Sequence, residues 1–288
     1  MKITKIYQNG SRPINEDRFV INKQANIYAV MDGATGLDGG IPGRLASETF
    51  QSFLLEETNQ YALLTCMQKA NKKLNHQIVS YYKQHIKDTD EVTFESIPKC
   101  KRSTTGIAAI QLNEDYSSFD YVHAGDCMLF LQFDNGEIRM ITHDMVHLFD
   151  QIALDKIVAL RKEFGQGVEL SKLRELVNPI LLENRKKYNT PDGYRILDGS
   201  KEGFDQLEYG KIHLNKVIGI LLLSDGLLLP TQKREENGWK CSAEIAFSSG
   251  LDTLLTEVNQ KENQDKACMV YPRLKQQDDK TGILIKMK

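Results

Sequence analysis

Residues 217–230 read VIGILLLSDGLLLP, an apolar strand with one charge in it, Asp225. An ionised carboxylate in such company is costly unless a cation, a proton or a tight set of hydrogen bonds compensates it. The same situation recurs along the chain. Asp32 ends IYAVMD and precedes Gly33, Asp126 ends FDYVHAGD, Asp278 and Asp279 stand just before the last strand, and Glu16 and Asp17 open DRFVI. Several acids thus sit at strand edges, where loops can gather them around one point. Taken singly, each reads as a turn residue, because Asp-Gly pairs exploit the positive φ open to glycine. Turn capping explains the set less well, since Asp32 and Asp225 follow strongly apolar runs.

The stretch DRFVINKQANIYAVMDG holds two β-rich segments around a polar turn and reads as a hairpin. Residues 41–60 and 62–87 read as two helices. In the second, Leu63, Leu64, Met67, Ala70, Leu74, Ile78 and Tyr81 recur every three or four residues. TTGIAAIQL and SFDYVHAGD are strands, and MLFLQF, DNGE and IRMIT form a hairpin with its turn. Residues 144–188 read as helical, with Ile152, Leu154, Ile157, Leu160, Leu173, Leu176 and Ile180 as the buried positions. The polar, glycine-rich stretch 189–213 reads as a surface loop, 240–261 as a helix, and TGILIKM as the last strand. Strands and helices come in blocks, which favours an antiparallel α+β fold with helices covering sheets. No internal repeat or low-complexity linker divides the chain, so 1–288 reads as one domain.

Composition narrows the function. A net charge of −2 with no basic stripe argues against nucleic acid or an anionic membrane as the main partner. The five cysteines are scattered and never spaced C-x-x-C, which suits reduced thiols in a cytoplasm and gives no zinc site. The N-terminal residues lack the apolar core of a signal peptide, and no apolar run is long enough to span a bilayer.

Carboxylates grouped without histidine or cysteine make a hard-oxygen site, which selects Mg²⁺ or Mn²⁺. Two such ions close together can hold and acidify a water, and they offset the charge of a phosphate ester. An arginine would complete such a site, because its fork fits phosphate oxygens. Arg12, four residues before Glu16, is the candidate.

The motifs RPINED, VMDGATG, HAGDCMLFL, LLSDGLL and DDKTGILI, in that order, resemble those of the metal-dependent serine/threonine protein phosphatases of the PP2C (PPM) type, from about residue 10 to the end. The resemblance implies a central antiparallel β-sandwich flanked by helices, with two Mn²⁺ or Mg²⁺ ions at one end. It implies that Asp32 bridges the metals and that the Gly33 carbonyl binds one of them. Asp225 and Asp278 would complete the other shell, and Glu16 and Asp17 would act through waters. Arg12 would hold the phosphate, and Asp126 with Asp225 would form a third, weaker metal site. Residues 145–212 would include a flap beside the site. The implied reaction is hydrolysis of phosphoserine and phosphothreonine by direct attack of a bridging water. The implied partners are a phosphorylated protein and a cognate kinase.

Departures from the pattern matter too. Ala34 stands where animal-type members have a histidine, GDSR reads GDCM with Cys127 and Met128, and Asp279 replaces an asparagine. These features keep open a regulatory pseudophosphatase that binds phosphoproteins, and the motifs also allow another phosphoester as substrate. Among His123, His143, His147 and His213, His143 is the first choice for a proton donor. Cys127 reads as a small buried hydrophobe, Lys101 and Arg102 as a surface pair, Ser103, Thr104 and Thr105 as packing, and the run 87–91 as a solvated helix end.

Overall fold

In the computed structural model, residues 1–58, 60–87, 91–165, 167–232 and 237–287 are described. The apolar runs are continuous because their strands are covered on both faces. In β3 (Ile27–Ala34), Ile27, Ala29 and Met31 face helices α1 (Arg44–Glu56) and α2 (Leu63–His85), while Tyr28 and Val30 face the interior of a sandwich. In β9 (Val217–Leu223), Leu221 and Leu223 face helices α6 (Gly238–Ser249) and α7 (Leu251–Gln264), while Ile220 and Leu222 point inward.

Two five-stranded sheets form that sandwich, and every named strand pair in them is antiparallel. One has the order β1 (Lys2–Gln8), β10 (Lys280–Lys286), β9, β6 (Met128–Phe133), β7 (Ile138–Met140). The other has the order β2 (Arg18–Asn22), β3, β4 (Thr104–Leu112), β5 (Ser118–Ala124), β8 (Glu208–His213). The layers are therefore α, β, β, α, as expected. The strand of the SDG motif stops at Leu223. Asp225 opens a 3-10 turn, and Leu227 and Leu229 turn under α6.

Four expectations change. The helix expected over 240–261 is two helices, because Gly250 adopts φ +94° and breaks the ladder. In 144–188, the apolar stripes of α3 (His147–Phe164) and α4 (Leu170–Lys187) pack on each other and on Leu274, not on a sheet. Their buried stripe is Ala153, Ile157, Leu160, Leu173 and Val177, while Ile152 and Leu176 are 49% and 44% exposed. Residues 189–213 are no surface loop: Tyr194, Ile196, Leu197 and Asp198 are buried, and helix α5 (Lys201–Asp205) and β8 follow. Finally, Arg102 is buried against Asp198, 3.0 Å away, and donates to the Phe94 and Ile97 carbonyls. Of the run 87–91, residues 88–90 lie outside the described residues.

Candidate metal centre

Strand register brings three of the acids together. Asp32 on β3 lies opposite Gly106 on β4. A side chain at Gly106 would meet Asp126 Oδ1 at 3.0 Å, so glycine lets Asp126 approach. Asp225 arrives from the turn after β9. One carboxylate oxygen from each of Asp32, Asp126 and Asp225 lies within 4.8 Å of the others. Gly33 is wedged in the same region, where a Cβ would come within 2.4 Å of the Glu16 carbonyl.

The cluster is only partly compensated: Lys275 acts on Asp32, Asp126 and Asp225, but burial and the neighbouring acids outweigh it. Asp225 Oδ1 is buried with no hydrogen-bond partner among the described residues, and so is Oδ1 of Asp17. The other Asp17 oxygen accepts the Ser224 hydroxyl at 2.7 Å. Burial, then the charges of neighbouring aspartates, lifts Asp32 and Asp225 well above the usual carboxylate range. Burial likewise lifts Asp17 to about 7 and, with Asp144 and Asp150, Asp126 to about 8. An oxygen-only donor set with two orphaned buried oxygens fits a hard divalent cation.

The remaining predicted residues are already engaged. Asp278 accepts Lys275 Nζ on both oxygens, at 2.7 and 2.5 Å. Burial works to raise its pKa, but the lysine charge and hydrogen bonds leave it below the usual value. Glu16 accepts the Gly43 amide at 2.8 Å and the Thr35 hydroxyl, and pairs with Arg12 at 2.8 Å. Its carboxylate thus ties the N-terminal loop to the start of α1. Asp279 is also structural: its two oxygens accept the Gly10 and Glu16 amides, both at 2.8 Å. Asparagine has one acceptor oxygen and could not satisfy both in this way.

A cavity of about 140 Å³ opens above the cluster. Asp32, Asp126 and Asp225 line it, with Ala34 and Gly106. Its walls include Phe149 and Asp150 from α3, Arg174 and Arg185 from α4, and Leu274 and Lys275. Arg12 is not on this wall; its side chain is 49% exposed. Lys275, Arg174 and Arg185 were missed from the sequence. The signals available were a lysine three residues before Asp278 and two arginines eleven apart on one helix.

The plainer residues take plain roles. Ser103 Oγ donates to the Pro42 carbonyl and accepts the Ala46 amide, while Thr105 Oγ1 donates to the Asp32 carbonyl at 2.9 Å. Cys127 is buried in the sandwich, where burial pushes its thiol pKa up. His143 is exposed and acts on Glu208, while His123 Nδ1 lies 3.3 Å from Glu208 Oε2; neither lines the cavity.

No protein-family model matches the sequence, and no curated protein matches it. Solved structures are similar. The serine/threonine phosphatase Stp1 from Staphylococcus aureus shares 15% identity and a TM-score of 0.58, over 100% of this chain and 95% of that one. The catalytic domain of the serine threonine protein phosphatase PstP in complex with two manganese ions shares 18% identity and a TM-score of 0.55, over 98% and 96%. PppA, a regulatory component of the T6SS in Pseudomonas aeruginosa, shares 14% identity and a TM-score of 0.55, over 99% and 96%. At these identities the likeness shows the fold, which is the one the sequence motifs imply.

Proposed function

We propose that the chain is a metal-dependent hydrolase of phosphoserine and phosphothreonine in proteins. The observation that carries this reading is the cluster of Asp32, Asp126 and Asp225 at a cavity, with a buried carboxylate oxygen that has no hydrogen-bond partner among the described residues. Solved phosphatases of the same fold, one holding two manganese ions, support it. Asp32, Asp126 and Asp225 would hold Mg²⁺ or Mn²⁺, with Asp17 beside them and the Gly33 carbonyl as a further ligand. When bound, the ions supply Lewis acidity toward the phosphoryl group and a more acidic water. Asp278, whose charge acts strongly on Asp225, would join that shell through the lone pairs its contacts with Lys275 leave free. Glu16 and Asp279 hold the loops that set the acids in place. Arg12 stands at the rim, paired to Glu16.

Among the described residues, no helix is long and apolar enough to cross a membrane. Phosphoprotein substrates, a kinase working in opposition and a cytoplasmic setting complete the proposal.

The test is hydrolysis of para-nitrophenyl phosphate and a phosphothreonine peptide with EDTA, Mg²⁺ or Mn²⁺, for the wild type and Asp225→Asn. Turnover that needs the metal and disappears in the variant is expected. Turnover indifferent to EDTA would remove the metal from the reaction, and metal-dependent turnover undiminished in Asp225→Asn would remove Asp225 from the metal's shell.

A further inference from the structure

We infer that α4 forms the phosphate-binding wall of this cavity, with Arg174 and Arg185 as the residues that hold the substrate's phosphate. The inference rests on the phosphoester reading above and assigns to the α3–α4 hairpin the role expected of Arg12.

Arg174 and Arg185 are eleven residues apart on one helix. Pro179 lies between them and the ideal rise sets them about 16 Å apart along the axis, so their shared side is read from the cavity and not from helical period. Both line the cavity whose floor is the aspartate cluster. Each is steadied by one hydrogen bond: Arg174 Nη1 donates to the Leu274 carbonyl at 3.1 Å, and Arg185 Nη1 donates to Thr104 Oγ1 at 2.9 Å. A guanidinium carries five N–H donors, so most of each fork stays free for a ligand.

Neither arginine has an ion-pair partner among the described residues, although Asp150 acts on both and Asp278 on Arg174 from farther off. Burial depresses the Arg174 pKa, and the nearby charges of Arg12 and Arg185 push the same way. Two guanidinium groups lining one cavity, neither with a carboxylate in contact among the described residues, make a cationic wall that an anion in the cavity would complement. A phosphate dianion offers oxygens that match the guanidinium fork, and here it would sit over the acids that bind metal. Arg12 is less suited. Its guanidinium is bound to Glu16, its side chain is half exposed, and it lies off the wall.

The helix is fixed firmly enough to position such groups. Leu173 and Val177 are buried against α3, and Asn184 Nδ2 donates to the Phe149 carbonyl at 2.8 Å. Arg161 of α3 donates to the Cys268 carbonyl at 3.1 Å, holding the chain segment that leads to Leu274 and Lys275.

The experiment uses the full chain loaded with Mg²⁺. Calorimetry measures binding of inorganic phosphate, and kinetics gives KM and kcat for the phosphothreonine peptide and para-nitrophenyl phosphate. The variants are Arg174→Gln, Arg185→Gln, their double, and Arg174→Lys with Arg185→Lys, which keep charge and stem but lose the fork. Lys186→Gln, an exposed residue on the same helix, is the control. Circular dichroism confirms folding.

Each glutamine variant is expected to weaken phosphate binding and raise KM by about tenfold or more, for both substrates. The lysine variants should fall between, and the control should match the wild type. A folded double variant that binds phosphate and substrate like the wild type overturns the inference and leaves hydrolysis intact. So does phosphate binding that survives the double variant but is lost in Arg12→Gln. A wild type that binds no phosphate also overturns it. Phosphate held through α4 without turnover in any metal would sustain the site and sink the hydrolase reading.

Discussion

Asp198 is a buried acid and Asp225 a half-buried one with an enclosed oxygen, and the protein treats them in opposite ways. Asp198 is completely enclosed. It accepts Arg102 at 3.0 Å, Asn189 Nδ2 at 3.2 Å, the Ser200 amide at 3.1 Å and the Ser200 hydroxyl. Arg102 in turn donates to two backbone carbonyls and lies 4.0 Å over the Phe94 ring. Among the described residues one oxygen of Asp225 has no hydrogen-bond partner, and the charges acting on it are Asp278, Asp126 and Asp17 against a single cation, Lys275. One region meets the cost of burying a charge from within. The other meets it only in part, through Lys275, and a buried oxygen left without a partner beside a cavity points to a ligand.

The contrast predicts effects of opposite sign on stability. Asp198→Ala should cost the most, about 3–5 kcal/mol in denaturant unfolding, because it strands a buried guanidinium. A loss under about 1 kcal/mol would mean that Arg102 finds water, and that the enclosed node is no better satisfied than the cavity. Asp279→Asn should cost about 1–3 kcal/mol, since one of two amide donors loses its acceptor. An unchanged midpoint would place Asp279 with the ligand acids and not with the structural ones.

Next in size is the pH dependence of the metal-free protein. Asp17 and Asp126 are held at about 7 and about 8, above the ordinary aspartate value near 4. Between those limits the folded state binds more protons than the unfolded one, so stability falls as pH rises. Each such carboxylate contributes at most about 1.4 kcal/mol per pH unit. The melting temperature in EDTA should therefore drop from pH 5 to pH 8, and saturating Mg²⁺ should flatten the slope by binding the ionised form. A metal-free melting temperature that climbs over this range would break the contrast. The smallest effect belongs to Asp225→Asn. Without metal it should leave stability equal or raise it by about 1 kcal/mol, because a repelling charge is gone. Metal should then stabilise it less than the wild type.

Legibility followed the same division. Helix α2 was readable because one apolar stripe packs into one core with α1 and the sheet, and its period survives in Met67, Ala70, Leu74 and Ile78. The α3–α4 hairpin was read one residue out of phase, at Ile152 and Leu176, because its partners are another helix and Leu274 and not a sheet. Residues 189–213 looked like a loop because burial there is bought with polar pairs such as Arg102 and Asp198, which composition reads as exposure. Strand β1 went unpredicted: only Ile6 of its residues is buried, and its pairing with β10 gives no local sign.

By itself the sequence determined the layered α+β fold and the acids at strand ends, because hydrophobic period and Asp-Gly turns are local signals. Tertiary structure alone decided which acids meet. Gly106 lets Asp126 reach Asp32, Lys275 takes Asp278, and two backbone amides take Asp279. It also decided which arginines face the cavity. The reason is physical: a charge's role depends on what lies within a few ångströms, and here the decisive neighbours come from parts of the chain far apart in sequence.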